Sequence, residues 1–125
     1  MRLDGCPIEI RHQAAFEFRD ASWLQADALL QLRTALDTAG AALVRSVGGT
    51  CPTPLEIPSI GPFCYVRFHH GEQGIGLTDD ELIFWAKRLA AESEGGREVY
   101  AYFNNDAHAY AIRNALRLQD LLETS

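Results

Sequence analysis

The chain has 125 residues, of which 47% are hydrophobic and 22% charged. That is enough for one packed domain spanning residues 1–125, and it excludes the disordered and low-complexity classes. Its 11 basic and 17 acidic side chains give a net charge of -6, which disfavours broad nucleic-acid or membrane-surface binding and leaves room only for a local basic pocket.

Residues 1–11 show no clear period and read as a short lead-in. They carry an acid, a proline and scattered apolar residues, so no secretory leader is expected. From Gln13 to Arg19 the pattern alternates, with Phe16 and Phe18 on one face and Ala15, Glu17 and Arg19 on the other. Asp20-Ala21-Ser22-Trp23 is a turn with two cap candidates. Leu29, Leu32 and Leu36 form a helical stripe, which Gly40 ends. A second strand runs from Ala41 to Val47.

Residues 48–62 hold Gly48, Gly49, Pro52, Pro54, Pro58, Gly61 and Pro62, too many breakers for a helix, so a long loop joins the second strand to the third. In the third strand, Phe63 to His69, Cys64, Val66 and Phe68 form the apolar face and Tyr65, Arg67 and His69 the polar one. After a turn with Gly71, Gly74 and Gly76, Thr78-Asp79-Asp80-Glu81 fits a capping box. Leu82, Trp85, Ala86 and Leu89 are the buried stripe of the helix it opens, and Gly95-Gly96 closes it. Val99 to Phe103 is the fourth strand. Asn105 or Asp106 caps a last helix that packs through Ala111, Ala115, Leu118 and Leu122. Strand followed by crossover, repeated, predicts an α/β fold with a mostly parallel sheet and right-handed connections.

Cys6, Cys51 and Cys64 are odd in number and widely spaced, which argues against a disulfide framework or a zinc knuckle and suggests reduced thiols in a cytoplasmic protein. No phosphate loop, dinucleotide fingerprint or nucleophile elbow is present, and no His pair stands at helical spacing. No cofactor and no metal are expected.

Phe16-Glu17-Phe18-Arg19-Asp20-Ala21-Ser22-Trp23, Tyr65-Val66-Arg67-Phe68-His69, and Tyr102-Phe103-Asn104-Asn105-Asp106 followed by Ala111-Ile112-Arg113-Asn114-Ala115 resemble, in order and spacing, the YecE-like family, domain of unknown function 72. The likeness covers about residues 13–122 and only the carboxyl-terminal half of that family. It implies half of a TIM-like (β/α)8 barrel, four mostly parallel strands with crossover helices. Two departures matter: Ser46-Val47-Gly48 stands where the family often has an acidic residue, and His69-His70-Gly71 where it usually has one His before Gly. The first weakens an argument for metal-assisted or general-base chemistry.

In such a barrel the inward positions line the core and the ligand mouth at the carboxyl ends of the strands. Alternation puts Glu17, Arg19, Leu43, Arg45, Tyr65, Arg67, His69, Tyr102 and Asn104 inward. Glu17, Arg19, Arg45, Arg67, His69, Asn104, Asn105 and Asp106 are therefore the ligand-binding candidates. The arginines suit phosphate or carboxylate, and His69 is the candidate acid or base. The competing reading is an internal salt-bridge layer in which Glu17 pairs with Arg19 or Arg67.

The function expected is binding of a small anionic ligand. The alternatives are a hydrolase-like or phosphate-ester enzyme acting only in an assembled barrel, and a half-barrel with a structural role. Nucleic acid and membrane are disfavoured as partners. Because the first and fourth strands would be open edges, a homodimer or a complementary amino-terminal half is expected to close the sheet.

Overall fold

The computed structural model of the chain describes residues 8–10, 13–71, 76–104 and 110–123. Its elements run β1 (Ile8–Ile10), β2 (Gln13–Phe16), a 3-10 turn (Ala21–Leu24), α1 (Ala26–Ala39), β3 (Ala42–Val47), β4 (Phe63–Phe68), α2 (Asp79–Glu94), β5 (Glu98–Phe103) and α3 (Tyr110–Glu123). The sheet order is β1-β2-β3-β4-β5. β2 to β5 pair in parallel, as the strand–crossover repeat predicts. The lead-in, by contrast, holds a strand. β1 pairs antiparallel with β2, so the β2 edge expected to be open is covered, and β1 and β5 are the two edges of the described sheet. Three residues are too few for a period to show in sequence.

The helix signals are used as written. Gly40 ends α1 in the left-handed conformation (φ 68°), its N–H donating to Asp37 and Leu36 carbonyls. Thr78 and Glu81 form a reciprocal capping box at the start of α2. Asp20 accepts from the Ser22 amide and caps the 3-10 turn.

Apolar residues divide among three packing layers. Leu32 and Leu36 of α1 pack with Leu43, Ile57 and Ile60. Leu82, Trp85, Ala86 and Leu89 of α2, with Leu118 of α3, cover Cys64, Val66 and Phe68 of β4. Ala15, Ala42, Val44, Phe63 and Tyr65 form the opposite, inner face of the sheet, against which Tyr100 packs.

The crossover from β3 to β4 is a strap without helix, residues 48–62. Gly61, at φ 106°, lies so close to β3 that a Cβ there would stand 2.4 Å from the Ala41 carbonyl oxygen. The strap carbonyls, which no helix satisfies, accept from arginines instead. Arg88 of α2 donates to Leu55 O at 2.8 Å, and Arg45 of β3 donates to Pro54 O at 3.1 Å and to Ile57 O.

In α3 the buried residues are Asn114 and Leu118. Ala111 and Leu122 are half-buried and Ala115 is exposed, so the packed stripe is turned from the expected one. The reason is Asn114, whose amide oxygen accepts from Leu77 N at 2.9 Å and whose amide nitrogen donates to Leu77 O at 3.2 Å. Asn114→Ala leaves both buried backbone groups of Leu77 unpaired. It is expected to cost about 2 kcal/mol or more in urea unfolding; a loss within experimental error would show that water replaces the amide.

Candidate functional site

The carboxyl ends of the parallel strands converge on one buried carboxylate. Glu17 follows β2 directly and is 2% exposed. Its Oε1 accepts from Arg67 Nη1 at 2.8 Å, and its Oε2 accepts from Ser46 Oγ at 2.8 Å and lies 3.0 Å from His69 Nε2. Against an ionised carboxylate the imidazole must donate, which puts a proton on Nε2 and turns Nδ1 away from Glu17. The backbone sets these positions. Ser46 pairs with Arg67 across β3 and β4, and Arg67 with Tyr102 across β4 and β5. Beyond the strand ends the ladder continues, as His69 N donates to Val47 O and Asn104 N to Phe68 O, both at 2.9 Å.

Ser46 is itself held from the strap. Its amide donates to Thr53 Oγ1 and its carbonyl accepts from Thr53 N, both at 2.9 Å. The adjoining Gly48 and Gly49 have φ of 74° and 82°, and a Cβ on Gly49 would stand 3.0 Å from the His69 ring. His70 turns away from Glu17: its Nδ1 donates to Gly71 O at 2.7 Å and its Nε2 accepts from Gly49 N at 3.0 Å.

A cavity of about 190 Å³ opens here, with Glu17, Arg19, Ser46, Arg67, His69 and Asn104 in its wall. Five of the expected residues thus meet: Glu17, Arg19, Arg67, His69 and Asn104. Arg19 and Asn104 are exposed at the rim, and Arg19 forms no ion pair with a described residue. Asn105 and Asp106 lie outside the described residues.

Arg45 does not join the site. It points to the other face of β3, beneath the strap, and burial pulls its guanidinium down to about 10, with nearby Arg88 adding to the effect. Leu43 likewise faces α1 rather than the inner layer. The inward residues of β3 are Ala42, Val44 and Ser46. β3 is buried on both faces, so its hydrophobicity carries no phase, and only the polar demand of Glu17 would have singled out Ser46. The internal salt-bridge reading holds for Glu17 with Arg67, not with Arg19, and His69 adds a hydrogen bond to the same carboxylate.

A larger cavity of about 810 Å³ lies between the strap and the start of α2, walled by Leu55, Phe84 and Trp85. Two polar groups on its wall, His70 and Thr78, are already bonded within the fold. Among the described residues no group of three or more His, Cys, Asp or Glu is placed to hold a metal ion, and no helix is long and apolar enough to cross a membrane.

The family model described as "Protein of unknown function DUF72" matches residues 2–125. The chain belongs to the DUF72 family. It is similar to two crystal structures of a DUF72 family protein from Enterococcus faecalis. One is 23% identical with a TM-score of 0.75, covering 89% of this chain and 47% of that one; the other is 25% identical with a TM-score of 0.72, covering 89% and 49%. A DUF72 family protein from Thermotoga maritima is 24% identical with a TM-score of 0.68, covering 87% of this chain and 45% of that one. No curated protein gives a significant match. The chain therefore spans about half the length of these DUF72 structures, and its sheet is half of a TIM-like barrel.

Glu17→Ala strands the buried Arg67 charge and removes the acceptor of Ser46 and His69. The expected cost is about 3–5 kcal/mol in urea unfolding. Glu17→Gln, which keeps an acceptor, is expected to lose less. A loss below about 1 kcal/mol for Glu17→Ala would mean that the ion pair is solvated and not structural.

Proposed function

We propose that this DUF72 half-barrel binds a small oxyanion, a phosphate or carboxylate group, at the carboxyl ends of its parallel strands. One observation carries the reading. The cavity is lined by two arginines, and neither is used up by the fold: Arg19 is unpaired among the described residues, and Arg67 gives only Nη1 to Glu17. The remaining Arg67 nitrogens are donors without a described partner, and Asn104 adds an amide at the rim. At about 190 Å³ the cavity has room for several waters, and so for a tetrahedral anion. On a chain with a net charge of -6, such a pocket is a local exception that focuses an anion at one place.

A second reading, acid–base chemistry on a phosphate ester, is favoured by the 3.0 Å contact from Glu17 Oε2 to His69 Nε2. A carboxylate that fixes one imidazole nitrogen leaves the other as the proton carrier.

Phosphate is expected to raise the melting temperature of the wild type. Because Arg19 is exposed and has no partner among the described residues, Arg19→Ala should melt normally without phosphate and bind it about tenfold more weakly by calorimetry. Equal phosphate affinity in wild type and variant would reject the site.

We also propose that a second copy of the chain masks the open side of the half-barrel. The support is the parallel edge strand β5, which pairs on one side only among the described strands and carries the half-exposed Tyr102 on the inner face. Light scattering after size exclusion should give twice the monomer mass at micromolar concentration, with an interface above about 1,000 Å². A clean monomer mass would sink the dimer.

A further inference from the structure

The larger cavity, between the strap and the start of α2, is built differently from the mouth. It measures about 810 Å³, and small organic ligands occupy sites of roughly 300–1,000 Å³. Its apolar wall comes from three segments: Pro52 and Leu55 of the strap, Val47 at the end of β3, and Phe84 and Trp85 of α2. Two of these are large side chains left in solvent, Leu55 at 53% and Phe84 at 46% exposed. Phe84 stands off the stripe of Leu82, Trp85, Ala86 and Leu89 with which α2 covers the sheet, so core packing does not require a ring there. It meets Trp85 edge to face, with centroids 5.3 Å apart and planes at 88°, which makes a corner of two rings. A solvent-facing apolar patch rimmed by polar groups is a mark of a binding site. The charges decide which ligand fits. The charged residues on the wall are Asp80 and Glu81, both acidic. Glu81 Oε1 accepts from Thr78 N in the capping box. Asp80 is exposed and forms no ion pair with a described residue. It stands one helical turn before Phe84, which puts its carboxylate and that ring on one side of α2. His70, also on the wall, keeps one nitrogen as an acceptor and so brings no charge. The nearest guanidinium, Arg88, is a further turn on. It lies 5.5 Å from the Trp85 ring centre and donates to Leu55 O and Ile57 O, so it closes the far end of the patch.

We infer that this cavity is a second ligand site, for a small organic cation with an apolar body, an aryl- or alkylammonium. The ammonium group sits beside the Asp80 carboxylate, and the apolar body lies against Phe84, Leu55 and Pro52. Carboxylate and aromatic ring both attract a cation, whereas an anion would meet two acids. The inference does not rest on the oxyanion reading. Val47 and Trp85 belong to the layer between the sheet and its helices, so the cavity lies apart from the inner face and the β5 edge where a second copy is proposed.

Nuclear magnetic resonance on the nitrogen-labelled full chain, titrated with benzylammonium and with the neutral benzyl alcohol, tests the site. Amide shifts from both ligands should centre on Leu55 and Phe84. The wild type should bind benzylammonium roughly three- to fivefold more tightly than the alcohol, the size of one exposed carboxylate or ring contact to a cation. Asp80→Asn should bring the two ligands level. Asp37→Asn removes the same charge from the exposed surface of α1 and should leave the preference intact, which separates the site from general attraction to a chain of net charge -6. Phe84→Ala, at a half-exposed position, should keep its far-UV spectrum and weaken both ligands. Arg19→Ala should change neither, so failure here and failure of the oxyanion site are distinguishable. Equal binding of amine and alcohol by the wild type, or a preference that survives Asp80→Asn, overturns the cation claim, as does an equal loss in Asp37→Asn. Shifts centred elsewhere, or no binding of either ligand, overturn the site. If neither ligand shifts the cavity amides and Phe84→Ala changes the mass in light scattering, the patch is an interface between copies and the inference is wrong.

Discussion

The carboxylate of Glu17 is the constraint on which the mouth of this half-barrel depends. It is buried at the point where β2, β3 and β4 end, and an ion there is tolerated only if its lone pairs are filled. Three donors do this: a guanidinium from β4, a hydroxyl from β3 and an imidazole just past β4. Each comes from a different point of the chain, so satisfying one side chain fixes the relative heights of the strand ends. The arrangement also orders the chemistry. Arg67 is neutralised on one nitrogen but keeps its others, and His69 is oriented through Nε2.

The strap between β3 and β4 is the second device. A helix satisfies its own backbone; a proline- and glycine-rich segment cannot, and its carbonyls must find donors elsewhere. Arg45 and Arg88 supply them from the sheet and from α2. This explains a buried arginine with no carboxylate in ion-pair distance among the described residues: its guanidinium works as a set of directed donors, and burial lowers its basicity. The strap in turn holds Ser46 through Thr53, so the same segment that covers the outer face helps to position the hydroxyl bonded to Glu17 on the inner one.

The inner face is unequally finished. At Glu17 the carboxylate is met by three donors. Toward β5, an edge of the described sheet, Tyr102 stands half in solvent. The family's solved structures are about twice as long as this chain.

Much of this was legible in the residues. Capping signals are local, so Gly40, Asp20 and the Thr78–Glu81 box could be read directly. The α2 stripe of Leu82, Trp85, Ala86 and Leu89 follows from period alone. The convergence of Glu17, Arg19, Arg67, His69 and Asn104 also followed, because each lies on or just past a strand with one polar face. Three things were not legible. β1 is too short to show a period. The stripe of α3 turns on Asn114, whose partner is the backbone of Leu77, 37 residues away. The phase of β3 was invisible because both of its faces are buried, so Arg45 looked like a site residue and Ser46 was not singled out. Local propensity and periodicity are properties of the sequence by itself. Which of two buried faces a strand turns inward, and which donor answers a buried carboxylate, is decided only when distant segments must satisfy one another's polar groups out of water.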